Sequence, residues 1–440
     1  MYKVNFITFG CKVNHYETEC MKSLFKERGW EISHDINGSD AVVINSCTVT
    51  SSGDSRVISA LKKARKELPD AVIALTGCYP QANIEDASKL IEADIICGTK
   101  DRSQIPDMVE DCMKEHRRIM EVSPYSKGDA FEPLKCSEFE DNTRAFVKIQ
   151  DGCDRFCSYC MIPFARGRCR SKPLDVLRDE AAAIAAGGIK EIVLSGINLA
   201  FYGQEWGLSL ADAAEVCAGT KGIERVRLGS LEPEMMTDDL LRRLAALPEL
   251  CPQFHLSLQS GSDETLKAMN RHYTSAEYLE LMDRIRSFFP DCSFTTDIMA
   301  GFPQETEKAH KESVDFIRRA GFAKVHVFRY SRRKGTVADR MSGQVPENIK
   351  SLRWKELTEA ADEMREQYLK GLVGKTVPVL FERENSPIFH QGHAPDHTLI
   401  KISRKNSEKS LRNRIISVII EEYSRDGCLG RPSEDFSYDF

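Results

Sequence analysis

Two long stretches of this chain, residues 1–115 and 144–330, repeat the same order of short apolar run and helical stretch. That repetition constrains the fold more than any other feature, because strand followed by helix, many times over, builds a parallel sheet covered by helices. In the first stretch, strands are expected at 3–8, 41–45, 71–76 and 94–96, with helices at 16–28, 56–67, 84–91 and 105–115. This predicts an α/β doubly wound parallel sheet. In the second, strands are expected at 145–150, 191–195, 225–229, 254–257, 293–297 and 324–328. The intervening helices fall at 174–186, 210–217, 238–246, 275–288 and 305–319. Six such units predict a partial (β/α)6 barrel, whose chemistry belongs at the C-terminal strand ends. Residues 121–142 contain Pro124, Gly128 and Pro133 without periodicity and read as a linker. Residues 347–370 read as one long amphipathic helix, and short strands at 377–381, 398–402 and 415–421 then predict a small all-β unit. The expected division is therefore 1–120, linker 121–142, 143–370 and 371–440.

Composition narrows the partners. A net charge of -6 excludes a polycation, so any RNA contact must come from a local patch. One such patch is Lys401, Arg404, Lys405, Lys409, Arg412 and Arg414, opposed only by Glu408. Another, Arg329-Tyr330-Ser331-Arg332-Arg333-Lys334, follows the last barrel strand with an aromatic inside it. No apolar run approaches the length of a membrane span. The first residues read as a strand rather than a secretory leader, and the fifteen cysteines are an odd number. A reducing cytoplasm is expected, with cysteines serving metal and packing rather than disulfides.

Cys153, Cys157 and Cys160 share one loop at spacing C-x3-C-x2-C, directly after an expected strand. Three thiolates can hold three irons of a [4Fe–4S] cluster and leave the fourth open. A zinc site normally closes with a fourth Cys or His, and no His lies in this loop. Cys11, Cys47 and Cys78 each follow a strand of the first sheet closely, roughly one βαβ unit apart. Parallel strands end at one edge, so these three can converge in the crevice there and hold a second metal group. Cys20, Cys97, Cys112, Cys136, Cys217, Cys251, Cys292 and Cys428 are read as packing residues.

The residues resemble the radical S-adenosylmethionine (radical-SAM) methylthiotransferases over almost the whole chain. The resemblance rests on both cysteine sets, on Gln150-Asp151-Gly152-Cys153, on Pro163 through Arg168 and on His255 through Ser262. Thr296-Asp297, Gly301-Phe302-Pro303 and Tyr330 through Thr336 complete it. It implies an N-terminal methylthiotransferase domain, a radical-SAM barrel and a C-terminal TRAM domain. It also implies two [4Fe–4S] clusters, one on Cys153, Cys157 and Cys160 and an auxiliary one on Cys11, Cys47 and Cys78. Cys169 is not read as a ligand. S-adenosylmethionine would meet Tyr159, Asn198, Ser230, Glu232, Gln259 and Arg271 at the barrel rim. The resemblance implies methylthiolation at C2 of a modified adenosine next to the anticodon of tRNA; no side chain is identified as an acid–base catalyst, since that C2–H is not acidic enough for one and the cofactor must supply the radical. The implied partners are the anticodon stem-loop of tRNA, an electron donor such as flavodoxin or ferredoxin, and a sulfur donor.

Within the family, Gly10-Cys11-Lys12-Val13-Asn14 with Tyr16-Glu17 resembles the branch acting on N6-threonylcarbamoyladenosine. Lys12 and Asn14 would read that polar, carboxylate-bearing substituent. An isopentenyl group would leave them unpaired, at roughly 1–3 kcal/mol each. Arg333, Lys401, Arg404, Lys405, Arg412 and Arg414 would contact RNA. Gln391 through His397 depart from the more aromatic TRAM pattern. The alternatives are action on isopentenyladenosine, action on a ribosomal-protein aspartate, or a non-catalytic metal-stabilised RNA-binding protein.

Overall fold

The structure, a computed structural model, describes residues 1–136, 143–382, 386–404 and 410–433. The N-terminal sheet is wholly parallel. Its strands are β1 (Lys3–Thr8), β2 (Glu31–Ser33), β3 (Ala41–Ser46), β4 (Val72–Gly77), β5 (Ile95–Cys97) and β6 (Ile119–Glu121), in the order β2-β1-β3-β4-β5-β6. Every residue of β3 and β4 is buried, as strands covered on both faces require. Separate apolar clusters on the two faces give the doubly wound arrangement. The edge strands β2 and β6, three residues each, are too short to carry a period and were not expected. Two helices start earlier than predicted, at Lys12 and Ser51, so their first turns lie beside Cys11 and Cys47.

The central unit is a partial barrel of two half-sheets. One contains β7 (Arg144–Asp151), β8 (Arg170–Ser171), β9 (Glu191–Gly196) and β10 (Arg225–Leu228), in the order β10-β9-β7-β8. The other runs β11 (Ser230–Leu231), β12 (Gln253–Leu256), β13 (Ser293–Ala300) and β14 (Lys324–Arg329). The strand expected at 225–229 therefore breaks at Gly229 and passes the chain from one half-sheet to the other. Ala145, Val147 and Ile149 of β7 pack under the helices. Strand alternation turns Arg144, Phe146 and Lys148 to the lumen.

The helix Glu347–Lys370 leads to a closed barrel of β15 (Thr376–Phe381), β16 (Phe389–His393), β17 (Leu399–Ser403), β18 (Ile415–Ser424) and β19 (Gly427–Pro432), ordered β15-β16-β17-β19-β18. β16 and β19 were missed because His, Gly and Pro interrupt their apolar pattern. This small barrel is more than an appendage. Its 393–397 turn sits on the N-terminal mouth of the central barrel, where Arg225 donates to the carbonyls of His393 at 3.0 Å and Pro378 at 2.8 Å. Arg227 donates to the Pro395 carbonyl at 2.7 Å, and Arg144 donates to His397 Nε2 at 2.8 Å and pairs with Glu382. The stretch that departs from the aromatic pattern thus closes the floor of the lumen.

Candidate active site and metal centres

The loop carrying Cys153, Cys157 and Cys160 is tied down at several points. Gly152 has φ +73°, and a Cβ there would lie 1.9 Å from the Arg168 carbonyl oxygen, so only glycine fits. Cys153 N–H donates to the Gly167 carbonyl at 3.0 Å. Ser158 donates to the Met269 carbonyl at 3.0 Å and accepts from Ala338 N–H at 2.7 Å. Donors then converge on the sulfurs. Cys153 Sγ accepts from Asn198 Nδ2 at 3.6 Å and Arg155 N–H at 3.5 Å. Cys157 Sγ accepts from Arg271 Nη1 at 3.4 Å, and Cys160 Sγ from Ile162 N–H at 3.4 Å. Burial pushes the Cys153 thiol up and Cys160 to about 12, with Cys157 adding to the rise at both. Thiols so placed ionise when a cation takes the proton's position, which suits a metal cluster rather than a free nucleophile.

The second set meets at the C-terminal edge of the N-terminal sheet. Cys11 caps the helix Lys12–Glu27, and Cys78 opens the helix Cys78–Ala82. Gly10 has φ +109°, and a Cβ on it would stand 2.8 Å from the Cys47 Cβ, so the loops of Cys11 and Cys47 are in contact. Burial raises Cys47 and lifts Cys78 to about 11, and Cys11 adds to both shifts. Arg166 Nε donates to Cys78 Sγ at 3.3 Å. The five-residue helix Ile162–Arg166 therefore touches Cys160 at one end and Cys78 at the other. Such a helix rises only about 7 Å, so one short element ties the two cysteine sets together.

The donor sets fit iron–sulfur clusters. Each has three cysteines, N–H groups aimed at sulfur, and glycine where the backbone must come close. Near Cys153 the buried Asn198 Oδ1 has no hydrogen-bond partner among the described residues, leaving an acceptor open beside that set. Among the described residues no three His, Cys, Asp or Glu side chains are close enough to share a single metal ion.

The other expected cofactor contacts divide. Arg271 clamps Glu232 through two bonds of 3.2 and 2.6 Å and also donates to the Ser257 carbonyl. Burial raises the Glu232 pKa although Arg271 opposes the rise. Gln259 adopts φ +72° and bonds through its backbone to Asp297 and Met299, which shapes the rim. Ser230 is exposed on β11. Tyr159 sits edge-on to Phe302, ring centres 6.3 Å apart, so its ring is engaged in packing at one edge. Burial, then the neighbouring Cys157, push its phenol well up.

The expected substrate contacts divide as well. The Lys12 ammonium lies 5.7 Å over the Phe146 ring, at the lumen. Burial lowers its pKa, and Arg227 and Arg144 lower it further. Lys12 makes no ion pair among the described residues. Asn14 is committed within the protein: it donates to the carbonyls of Phe9 at 2.8 Å and Ser46 at 2.9 Å, and accepts from Arg166 at 2.7 Å. Its amide is consumed in holding the Cys11 and Cys47 loops. Arg333, expected on RNA, is buried; it pairs with Asp54 at 2.7 Å and donates to Thr48 Oγ1 at 2.6 Å. It clamps the last barrel loop to the Cys47 loop. Lys401, Arg404, Arg412 and Arg414 lie on β17 and in the segments between β17 and β18; Lys405 and Lys409 fall outside the described residues.

Sequence reasoning overlooked a buried ionic network beside Cys78. Glu17 accepts from Lys148 at 2.7 Å and from Arg166 at 2.7 and 2.9 Å, and pairs with Arg102 at 3.0 Å. Burial works to raise its pKa, but the three cations prevail and hold it at about 2. Asp151 pairs with Lys148, Arg166 and Arg170. The sequence signal was Lys148, a charge in the middle of the apolar run 145–149.

Residues 147–317 match the Radical SAM superfamily, and residues 3–98 match the Uncharacterized protein family UPF0004. The chain is 39% identical over 383 residues to the threonylcarbamoyladenosine tRNA methylthiotransferase MtaB of Thermotoga maritima, covering 87% of each. It is 36% identical to the Bacillus subtilis protein of that name, covering 87% of this chain and 85% of the other. A tRNA-2-methylthio-N(6)-dimethylallyladenosine synthase of Caldicellulosiruptor saccharolyticus is 33% identical, covering 86% of this chain and 81% of its own length. Among solved structures, the radical S-adenosylmethionine methyltransferase TsrM of Kitasatospora setae aligns with a TM-score of 0.53 at 15% identity. That alignment covers 74% of this chain and 73% of the other, and bears on the fold alone.

Proposed function

The chain belongs to the radical-SAM methylthiotransferase family, and on that premise we propose that it places a methylthio group on C2 of N6-threonylcarbamoyladenosine, next to the anticodon of tRNA. The observation that carries this reading is the meeting of Cys78 and Cys160 at opposite ends of the helix Ile162–Arg166. Two cysteine sets tied together by one short helix suit a reaction that needs a radical and a sulfur together. Two bound [4Fe–4S] clusters, on Cys153, Cys157, Cys160 and on Cys11, Cys47, Cys78, with S-adenosylmethionine, supply the one-electron chemistry, the sulfur site and the methyl group.

The protein's own part is binding, orientation and charge. Asn198 and the Arg271–Glu232 pair hold the first cluster's loop and offer polar contacts to S-adenosylmethionine. Lys12 serves the substrate. A threonylcarbamoyl group ends in a carboxylate, and an ammonium without an ion-pair partner among the described residues, backed by Arg144 and Arg227, is a seat for one. An isopentenyl group would leave that ammonium desolvated and unpaired. Lys401, Arg404, Arg412 and Arg414 serve the phosphates of the stem-loop. A flavodoxin or ferredoxin supplies the electron and a separate donor the sulfur, in the cytoplasm. No helix among the described residues is long and apolar enough to cross a membrane. The division of labour follows the units 1–120, 143–370 and 371–440.

Anaerobically reconstituted protein is tested on two stem-loops that differ only in the adenosine substituent. Turnover on the threonylcarbamoyl form with little on the isopentenyl form is expected. Lys12→Met should lower kcat/KM on the first by roughly ten- to a hundredfold, the worth of one charge-assisted hydrogen bond. Equal turnover on both, or turnover on the isopentenyl form alone, overturns the substrate assignment.

A further inference from the structure

The Arg166 guanidinium is wholly buried, and each of its five N–H groups has an acceptor. Four go to oxygen: Glu17 Oε1 at 2.7 Å, Glu17 Oε2 at 2.9 Å, Asp151 Oδ1 at 3.2 Å and Asn14 Oδ1 at 2.7 Å. The fifth goes to Cys78 Sγ at 3.3 Å. Arg166 stands on the barrel, whereas Cys78, Glu17 and Asn14 stand on the N-terminal unit. The charges around it do not balance. Among the described residues, Arg102, Lys148, Arg166 and Arg170 face the carboxylates Glu17, Asp151 and Glu132, which leaves a surplus of positive charge. Unpaired charge in the interior is costly unless an anion faces it. A [4Fe–4S] core held by three thiolates is such an anion, and it gains a further negative charge when reduced.

The other set differs. Arg271 also donates to a cysteine sulfur, Cys157, but it is matched one to one by Glu232. Its charge is cancelled locally. Hydrogen bonds to sulfur and net charge are two of the factors that set a cluster's potential.

We infer that Arg166 and the surplus positive charge around it set the reduction potential of the auxiliary cluster, raising it by stabilising the reduced form. Arg166 is a positioning and tuning residue, not a catalytic one. Because the guanidinium comes from the barrel, the auxiliary set acquires this tuning only when the two units are docked. The inference rests on the reading that Cys11, Cys47 and Cys78 hold a cluster.

The test uses full-length protein with Cys153, Cys157 and Cys160 changed to Ala, reconstituted anaerobically with iron and sulfide and titrated electrochemically under electron paramagnetic resonance. Arg166→Gln should cut the ratio of reduced to oxidised cluster at a fixed poise by about tenfold, a downward shift of roughly 59 mV for one electron. Arg166→Lys should fall less, since it keeps the charge. Glu17→Gln removes a carboxylate that does not touch Cys78 and should shift the potential upward. A purely structural role would not move the two Gln variants in opposite directions. Unchanged potentials, or shifts of the same sign, overturn the inference. Should Arg166→Gln fail to fold, the direction of the Glu17→Gln shift decides alone. A parent protein that takes up no iron would instead sink the cluster reading on which the inference rests.

Discussion

Replacing Arg271 with Met strands a carboxylate, and the structure fixes both the size and the pH dependence of the result. The guanidinium serves Cys157 Sγ, both Glu232 oxygens and the Ser257 carbonyl. The paired side chains are only 4% and 14% exposed. Removing one partner of a buried pair costs about 3–5 kcal/mol, because the other charge stays behind. Burial already raises the Glu232 pKa, with Arg271 opposing, so the variant's value must rise further. An acid with a raised folded pKa is favoured in its protonated form. The stability it lends is therefore intact below the unfolded pKa and is lost as pH climbs through the folded one. The Arg271→Met penalty should thus be largest near about pH 8 and shrink toward about pH 5. Thermal unfolding of the cluster-free protein reads this out, with a fall on the order of 10 °C at the higher pH. Adding Glu232→Gln removes the stranded charge and should restore most of the loss. A penalty independent of pH, or no recovery in the double variant, would mean that Glu232 is not the charge left stranded.

Other outcomes follow from the same geometry. Reconstituted wild-type protein should hold about eight irons per chain, and changing either cysteine triplet to Ala should leave about half; only loss of Cys153, Cys157 and Cys160 should abolish cleavage of S-adenosylmethionine. Removing residues 373–440 should weaken tRNA binding and also lower the thermal stability of the central barrel, because Arg225 and Arg227 lose their carbonyl partners on the 378–395 segment; a truncation that leaves barrel unfolding unchanged would mean the floor is not structural. Arg333→Ala should speed iron loss from the auxiliary set under chelator, since Asp54 and Thr48 lose the clamp beside Cys47, and an unchanged rate would confine Arg333 to another role.

Much of the fold was legible because period and punctuation agreed. The helix Glu347–Lys370 and strand β1 fall where the pattern puts them. The cysteines were legible through topology: residues just past parallel strands converge, whatever their separation in sequence. What the sequence hid was the destination of polar side chains. Asn14 sits in a motif beside a cysteine and Arg333 in the basic strip after the last barrel strand, so both read as ligand contacts, yet their hydrogen bonds are spent on the protein. Only the three-dimensional partners, Phe9, Ser46 and Arg166 for one, Thr48 and Asp54 for the other, reveal this. Likewise Glu17, Arg102 and Arg166 are far apart in sequence, and nothing in their local patterns announces a shared buried network. The docking of the 393–397 turn was equally hidden, since a charged strand start such as Arg144 or Arg225 looks solvated until a second unit covers it.

The proposed activity is tested most directly by mass spectrometry of tRNA nucleosides from cells that lack this protein and from the same cells after its return. N6-threonylcarbamoyladenosine should stay unmodified at C2 in its absence and acquire a methylthio group when wild-type protein is restored, but not when Cys153, Cys157 and Cys160 are replaced by Ala. Nucleosides that are identical in all three samples, or a methylthio group that appears only on isopentenyladenosine, would contradict it.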